Sequence, residues 1–572
     1  MAENKVKKNF DAMLQKYFEK IDKKLDAECG LIGANIEVKN VIHTNVTGYA
    51  HYINENAVYA QLVYMSGAKH RYGIAEGIIN KIIDVQDKNP ESETCGLWSY
   101  YFEEGLTQMS APDYNMAEFI TRPMIYILLE KSECVSENTI KRMKEAMNLA
   151  AYCCIRRNVG LDYTNVISMS SFTITAIGEI TDDPELIAAG KEELKAFAEY
   201  TRFNGGFSEY NSPCYIKVVG DSISRILKYC RDEECRKYAQ ELNEYLWDTL
   251  SKHYSAEFNE LAPPYARAYT DTDVEYENTD FIYYATKGKY GVYNCAMNDW
   301  ELNVPHCPEK FYDNFEKEMW IEDTYYKKNN LRKRDTDATI IKDFDSPDLT
   351  AYTYKTKKYL FGAFQKTDLW DQRRTSMIMW DKEDKKTFKL RCMKDGYSFS
   401  SGMVYTAMDK DEMLTVLGFS TNHGYKHYIL DLFENGIIEA ESLKFTMKIS
   451  GNYKKENFRH TKNELIYSDD KIAFNIKIIA WVFDGLPGEI YFTDDGIELI
   501  CYEGEKKKID LIKLGETYGV ISMKVNGKAA NAEVTKDGNR LNVNSDKHCI
   551  NTYLTPKPYN MCIRDTDVNA LR

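Results

Sequence analysis

The sequence predicts an all-α half followed by an all-β half, and three observations carry this prediction. Up to about Asp299, apolar residues recur at three- and four-residue steps, which is the period of an amphipathic helix. After about Thr336 the period changes to two, and Asp-Gly and Asn-Gly turn signals recur between β-branched and aromatic residues. The predicted architecture is an (α/α) toroid over residues 1–300, a charged and Tyr-rich linker over 301–335, and an antiparallel β-sandwich over 336–572.

Two helices of the first half have recognisable starts. Ser136 is a plausible N-cap before an apolar face of Ile140, Met143 and Met147. A second helix begins at Asp183-Pro184-Glu185. The aspartate is a plausible N-cap, the proline has the fixed φ that a first helical turn needs, and the glutamate places a negative charge at the positive helix end. Further helices are predicted near residues 5–26, 56–67, 73–86, 116–131, 164–180 and from about 233. Many consecutive helices with short loops are typical of a helical array or toroid.

The second half alternates between apolar and polar residues. The stretch 472–478 and the sets Phe388/Leu390/Cys392 and Phe445/Met447/Ile449 each place apolar side chains on one face of a strand. Turn dipeptides follow at 484–485, 495–496, 526–527 and 537–538. Short strands joined by such turns predict one or two antiparallel sandwiches.

Composition excludes several classes of protein. The 572-residue chain is 44% hydrophobic and 28% charged, which excludes wholesale disorder. Its formal charge of −14 argues against a dedicated nucleic-acid binder. No run of about 18 apolar residues predicts a membrane span, and the charged start without an apolar segment favours a cytoplasmic protein. The 14 cysteines lack metal-binding companions at zinc-finger spacing and are interpreted as reduced thiols.

Four polar-aromatic segments interrupt the helical pattern, at residues 96–115, 162–165, 205–215 and 261–269. Each lies on a predicted helix–helix connection, and the loops at one end of a helical toroid are where its site is expected. Each segment contains tyrosine, which stacks on sugar rings and also donates hydrogen bonds, and the chain has 43 tyrosines. Taken singly, each segment is equally explained by turn and capping chemistry.

The third segment carries the pattern F-x-E-x-N-S-P-x-Y. This pattern and the helix-then-sandwich architecture resemble the heparinase II/III-like polysaccharide lyases, on residues Phe207, Glu209, Asn211, Ser212, Pro213 and Tyr215. Segments 162–165 and 261–269 also resemble segments of that family. The resemblance implies a lyase that cleaves uronate-containing glycans by β-elimination, with a glycosaminoglycan-like chain as the leading substrate class.

The resemblance also implies roles for individual residues. Asn165, a neutral amide donor, would stabilise the charge that develops on the uronate carboxylate. Tyr215 would act as the acid and also as a candidate base, and Arg267 would tune that phenol or bind the carboxylate. His306, between two prolines of the linker, is a further candidate base. Trp98, Tyr210, Asn211 and Tyr269 are expected to line the sugar subsites.

One segment departs from the family pattern. Many relatives carry a His-rich segment early in the sandwich, whereas the comparable stretch 360–374 has no histidine. It offers Arg373 and Arg374 as anion-binding groups instead, with paired surface arginines as the equal alternative. No cofactor and no metal ligand is predicted. A structural divalent metal stays open but has no support in the sequence, since His423 and His427 would need a third ligand that the sequence does not identify.

Two other functions stay open at this point. A glycoside hydrolase on a similar toroid would use a carboxylate pair drawn from Glu209, Asp271 and Asp273. A glycan-binding protein without catalysis would bind the same ligands. In each case the expected partner is an acidic polysaccharide or oligosaccharide, with no nucleic acid and no membrane, and no oligomeric state is predicted.

Overall fold

The structure is a computed structural model and describes residues 2–37, 43–273, 277–293, 303, 306–326, 349–422 and 435–570. The described helices lie mostly in the first half of the chain. They are α1 Ala2–Ile21, α2 Ile53–Ser66, α3 Tyr72–Asp84, α4 Met116–Glu130, α5 Glu137–Arg157, α6 Thr164–Thr181, α7 Pro184–Asn204, α8 Ile216–Tyr229, α9 Glu233–His253, α10 Glu277–Ala285 and α11 Tyr559–Arg564.

Helices α2 to α9 form two layers. In one layer α2 packs on α4, α4 on α6 and α6 on α8. In the other layer α3 packs on α5, α5 on α7 and α7 on α9. Consecutive helices form antiparallel pairs that connect the layers, such as α6 with α7 and α8 with α9. Helix α6 is buried along almost its whole length, as an inner helix must be. This is the predicted (α/α) toroid arrangement.

The predicted helix starts are confirmed in atomic detail. The Ser136 hydroxyl accepts a hydrogen bond from the Thr139 backbone N–H, and the Asp183 carboxylate accepts from the N–H groups of Glu185 and Leu186. Helix α8 is not among the predicted helices. Its Ile216, Val219, Ile223 and Ile226 are buried at helical spacing, but the Pro-containing loop before it masks its start.

The strands lie mostly in the second half. The helical half holds two short pairs, β1 Ala34–Ile36 with β2 Gly48–Ala50 and β3 Tyr254–Ser255 with β4 Glu260–Leu261. The others are β5 Met319–Tyr326, β6 Leu349–Lys355, β7 Tyr359–Phe364, β8 Lys366–Asp368, β9 Ser376–Trp380, β10 Lys386–Lys394, β11 Tyr397–Ser398, β12 Gly402–Asp409, β13 Glu412–Phe419, β14 Ile437–Ser450, β15 Phe458–His460, β16 Glu464–Ser468, β17 Ala473–Phe483, β18 Leu486–Pro487, β19 Glu489–Thr493, β20 Gly496–Asp510, β21 Tyr518–Val525, β22 Glu533–Asp537, β23 Arg540–Asn544, β24 His548–Tyr553 and β25 Asp567–Ala570.

Two large antiparallel sheets face each other. The first has the order β19-β20-β14-β10-β9-β7-β6-β5, with β11 beside β10, and the second has the order β15-β16-β17-β21-β13-β12-β8, with β18 beside β17. Phe388 and Phe445 of the first sheet share one buried core with Phe474 and Ile521 of the second. The predicted sandwich is therefore confirmed. A third sheet, β22-β23-β24-β25, covers the outer face of the second through Leu541 and other apolar residues.

The β region begins earlier than the sequence predicts. Strand β5 falls inside the predicted linker 301–335 but pairs with β6 at the edge of the first sheet. The expected period-two signal is weak there because Glu322 and Asp323 interrupt the apolar positions of a short edge strand. Of the described helices, none is long and apolar enough to cross a membrane.

Candidate active site

The candidate site forms where the rim of the toroid meets the first sheet. Helices α6 and α8 of the inner layer begin at this rim, so Asn165 and Tyr215 sit at their first turns. The segment 265–268 runs between the two halves of the molecule, because Ala266 N–H donates to the Tyr210 carbonyl and Ala268 N–H donates to the Gln372 carbonyl. Inner-helix starts and the loop between β8 and β9 thus supply side chains to one place.

Glu209 holds the centre of the site. Its carboxylate accepts from the Asn165 backbone N–H at 2.8 Å and from the Asn165 side-chain amide at 2.7 and 2.9 Å. It also accepts from the Arg267 guanidinium at 2.8 Å. Burial raises the pKa of Glu209, while Arg267 and the amide donors of Asn165 oppose that rise. The carboxylate fixes both predicted carboxylate-binding side chains in one orientation.

Arg267 connects this group to the phenols. Its guanidinium carbon lies 4.5 Å from the ring centroid of Tyr215 and 5.6 Å from those of Tyr163 and Trp370. Its Nε donates to the Gln372 side-chain oxygen at 3.1 Å. Cation–π contact with these three rings stabilises the guanidinium and places a positive charge beside the Tyr215 phenol.

Tyr215 and Tyr269 form a hydroxyl pair at 2.5 Å. Burial raises the pKa of Tyr215, Arg267 opposes that rise, and Tyr269 and Glu209 add to it. Tyr215 is therefore a phenol at neutral pH and can donate a proton. Tyr269 is 62% exposed, so the pair connects a half-buried phenol to solvent.

A cavity of about 670 Å³ opens beside Tyr269. Its charged lining is mixed, with the cations Arg374, Lys385, Lys389 and Arg391 and the carboxylates Asp271, Asp273, Glu383 and Asp384. Asp271 pairs with Arg374 and Lys389. Arg391 instead donates to the Ser398 hydroxyl and the Asp371 carbonyl, and no carboxylate within the described part of the chain pairs with it. Burial and the neighbouring Arg374 lower the pKa of Arg391, so an anion bound there would be stabilised.

Three of the predicted sugar-contacting residues are buried, and those predictions are corrected. Trp98 is fully buried and its indole N–H donates to the Ile82 carbonyl, so it belongs to the helical core. Tyr210 is buried with its hydroxyl between His253 and Asp323. The polarity of these side chains serves internal hydrogen bonds and not a sugar. Tyr269 is the exposed member of the predicted set.

Asn211 is buried and supports the site from behind. Its side-chain amide donates to the carbonyls of Ala262 and Pro264 at 2.7 and 3.0 Å, and its φ is +48°. It anchors the loop that leads to Arg267 and is corrected from a sugar contact to a structural residue.

Replacing Asn211 by alanine is expected to destabilise the protein by about 2–3 kcal/mol, since two buried hydrogen bonds are lost and alanine is strained at positive φ. The thermal unfolding midpoint measures the effect. Asn158→Ala is the matched control, because Asn158 has a φ of +50° on an exposed helix end. Equal midpoints for the two variants would contradict the role assigned to the amide.

The remaining predicted residues lie around this group or away from it. Arg373 pairs with Asp368 at 2.9 Å, and Arg374 pairs with Asp271 at 2.5 Å, so each arginine already has a carboxylate partner. That they bind an anion stays a prediction, and Arg374 also lines the cavity beside Tyr269. His306 is exposed, and its carbonyl accepts from Asn243 of the outer helix α9, which separates it from the inner-layer rim. His423 and His427 lie outside the described residues.

Sequence reasoning missed two contributors to the site. Gln372 and Arg391 come from a loop and a strand of the second half, more than 100 residues from Arg267 along the chain. Arg391 alternates with the inward-facing Leu390 and Cys392, so the period-two pattern does place it on the opposite face. Nothing in the pattern indicates that this face meets the toroid rim.

The carboxylates of the hydrolase alternative are engaged with the protein. Glu209 is bound by Arg267, while Asp271 is bound by Arg374 and Lys389, which lower its pKa although burial opposes them. Asp273 accepts from the backbone N–H groups of Asn278 and Thr279. Inverting or retaining hydrolysis needs one carboxyl that donates a proton and one that faces the sugar, and these contacts do not favour that arrangement.

Comparison with known proteins gives one family model and several solved structures. A domain of unknown function, DUF8769, matches residues 12–286. No curated protein matches the chain. Heparinase III is similar at 9% identity over 87% of this chain and 82% of that one, with a TM-score of 0.45.

Two further structures are chondroitin lyases. The chondroitin AC lyase of Streptomyces coelicolor A3, in complex with chondroitin sulphate, is 8% identical over 88% of this chain and 80% of that one, with a TM-score of 0.42. A chondroitinase AC lyase is 8% identical over 100% of this chain and 98% of that one, with a TM-score of 0.39.

Proposed function

We propose that this protein is a lyase that cleaves uronate-containing glycans by β-elimination, with glycosaminoglycan-like oligosaccharides as the favoured substrates. The observation that carries the proposal is the position of the Arg267 guanidinium, which contacts the Glu209 carboxylate that binds Asn165 and also lies over the Tyr215 ring. An amide donor, a cation and a phenol are the groups that this elimination needs.

The first requirement is to make the proton beside the carboxylate acidic. While the uronate carboxylate is ionised, the carbon next to it loses a proton only if the developing charge is stabilised. Asn165 and Arg267 supply N–H donors for that charge. Glu209 keeps them oriented and compensates the guanidinium, so the site is preorganised before substrate binds.

The second requirement is a base and an acid on the same face. In the proposed cycle the Tyr215 phenol first loses its proton through the Tyr269 hydroxyl to water. The phenolate then takes the proton from the carbon beside the carboxylate, a carbon–carbon double bond forms, and the bond to the 4-oxygen breaks. Tyr215 returns that proton to the leaving oxygen. The steps balance without another reactant, and Arg267 favours the phenolate.

An elimination assay tests the function. The purified protein is incubated with a panel of uronate polymers and oligosaccharides, and the ultraviolet absorbance of the new conjugated double bond is followed. The lyase proposal expects absorbance to rise together with chain cleavage. Cleavage without absorbance would indicate a hydrolase, and binding without cleavage would indicate a glycan-binding protein; either result overturns the proposal.

Arg391 is expected to bind an anionic group of the substrate beyond the cleaved bond. Changing Arg391 to glutamine should raise KM about tenfold and leave kcat nearly unchanged, because the side chain lines the cavity and does not contact the Tyr215 hydroxyl. Initial rates at two salt concentrations measure this, since the wild-type advantage should shrink at higher salt. Arg459→Gln, at an exposed arginine of β15, is the control and should match the wild type. A fall in kcat at constant KM would contradict the assignment.

A further inference from the structure

Three side chains of types that ligate metals, Asp26, Cys29 and His51, converge between the end of α1 and the start of α2. The His51 Nε2 atom lies 3.5 Å from the Cys29 Sγ atom and 3.5 Å from the Asp26 Oδ2 atom. The three candidate ligand atoms of Asp26, Cys29 and His51 all lie within 4.8 Å of one another. His51 is buried and the other two residues are half-buried, so the cluster is shielded but reachable.

The imidazole is oriented as a metal ligand would be. The Glu103 carboxylate is 2.5 Å from His51 Nδ1 and also accepts from the His51 backbone N–H at 3.0 Å. A carboxylate on one ring nitrogen places the proton there and leaves the lone pair of Nε2 facing the cluster. Glu103 thus fixes the ring so that Nε2 faces Asp26 and Cys29.

The backbone holds one carboxylate oxygen of Asp26 and leaves the other to face His51. Its Oδ1 atom accepts from the N–H groups of Glu28 and Cys29, which closes a tight turn and brings Cys29 back toward Asp26. The Oδ2 atom points to His51. The turn therefore directs one carboxylate oxygen of Asp26 toward His51 and brings Cys29 close to both residues.

Two of the three separations between the ligand atoms fit tetrahedral zinc, and the third, between Cys29 Sγ and the Asp26 carboxylate, is within 4.8 Å. Zinc binds sulfur at about 2.3 Å and nitrogen or oxygen at about 2.0–2.1 Å, which separates ligand atoms on a tetrahedron by about 3.6 Å for S···N and about 3.3 Å for N···O. The observed separations are both 3.5 Å.

We propose that Asp26, Cys29 and His51 form a zinc site that ties the end of α1 to the start of α2 and, through Glu103, to the loop before α4. Thiolate and imidazole ligands select zinc over magnesium or calcium, which prefer oxygen. Binding replaces the Cys29 thiol proton, which leaves to solvent, with a Zn–S bond, and water completes the fourth position. This proposal does not depend on the lyase proposal.

Metal binding by the full-length protein tests the site without any activity assay. Metal-free protein is titrated with Co²⁺, and the sulfur-to-cobalt charge-transfer band and visible d–d bands are recorded; Zn²⁺ is then added to displace the cobalt. One equivalent of tetrahedral cobalt with a thiolate band is expected, together with a rise in the thermal midpoint on adding Zn²⁺. The absence of a thiolate band, or of metal retained after gel filtration, would overturn the proposal.

Variants assign the band to the cluster. Cys29→Ser should abolish the thiolate band, and Glu103→Gln should keep the band but weaken affinity by about 10–100-fold. Cys549→Ser, at a half-exposed thiol of β24, is the matched control and should bind like the wild type. A band that survives in Cys29→Ser would place the metal elsewhere and refute the assignment. Glu103→Gln keeps the test valid if Cys29→Ser does not fold.

Discussion

Replacing Tyr215 by phenylalanine is expected to lower kcat by at least about 10³-fold and to change KM less than about threefold. The change removes only the hydroxyl that donates and accepts the proton, and general acid–base groups contribute about 10²–10⁴-fold each. The phenylalanine ring can still lie against the Arg267 guanidinium, so the substrate-binding face is preserved. Rates of ultraviolet absorbance increase and a separate binding measurement check the two parts of this expectation.

Tyr269→Phe is the matched control for that result. It removes the hydroxyl that bonds to Tyr215 at 2.5 Å but leaves the proposed acid–base group in place. We expect a loss in kcat of about tenfold or less, because water can reach the Tyr215 hydroxyl once its exposed partner is shortened. If Tyr215→Phe retained a rate within tenfold of the wild type, the phenol would not be the proton carrier and the proposed cycle would be wrong.

The sequence predicts the scaffold of this site well because local signals determine it. The helix caps at Ser136 and Asp183 depend only on residues next to them in the sequence. Asp484 and Gly485 have positive φ values of +51° and +77°, which a two-residue hairpin turn between β17 and β18 requires. The four polar segments do lie at helix connections, and two of them supply Asn165 and Tyr215. Motif resemblance and periodicity therefore locate the rim.

The direction of each side chain at that rim depends on contacts that the sequence does not display. Tyr210 and Asn211 stand beside Glu209 in the same motif, yet both side chains turn inward. Tyr210 donates to Asp323 of a sheet strand, and Asn211 donates to the Pro264 carbonyl of a distant loop. The sequence offers Glu209 as a hydrolase carboxylate, since nothing in it shows the pairing with Arg267, 58 residues away. Burial and pairing are tertiary properties, and they decide which polar residue faces the cleft.

Replacing Arg267 by methionine is expected to impair both stability and catalysis. The Glu209 carboxylate, 8% exposed, would keep its Asn165 donors but lose the only cation that pairs with it among the described residues. Leaving one charge of a buried pair unpaired costs about 3–5 kcal/mol, measured as a fall in the unfolding midpoint. Without the cation the pKa of Tyr215 rises further, so the ascending limb of the pH–rate profile should move to higher pH and kcat at neutral pH should fall about 10²-fold or more.

The pH dependence of that stability loss separates charge from packing. In Arg267→Met the pKa of Glu209 in the folded protein lies further above its unfolded value, because burial already raises it and Arg267 no longer opposes the rise. A group with a raised folded pKa stabilises the fold below its unfolded pKa and loses that contribution as pH rises through the folded pKa. The midpoint difference from the wild type should therefore grow as pH rises above about 4.3, the usual pKa of an unfolded glutamate, and adding Glu209→Gln should remove most of that growth. A difference that stays constant with pH would show that Arg267 acts through packing on the Tyr215 and Trp370 rings, and that the charge arrangement proposed for catalysis is incorrect.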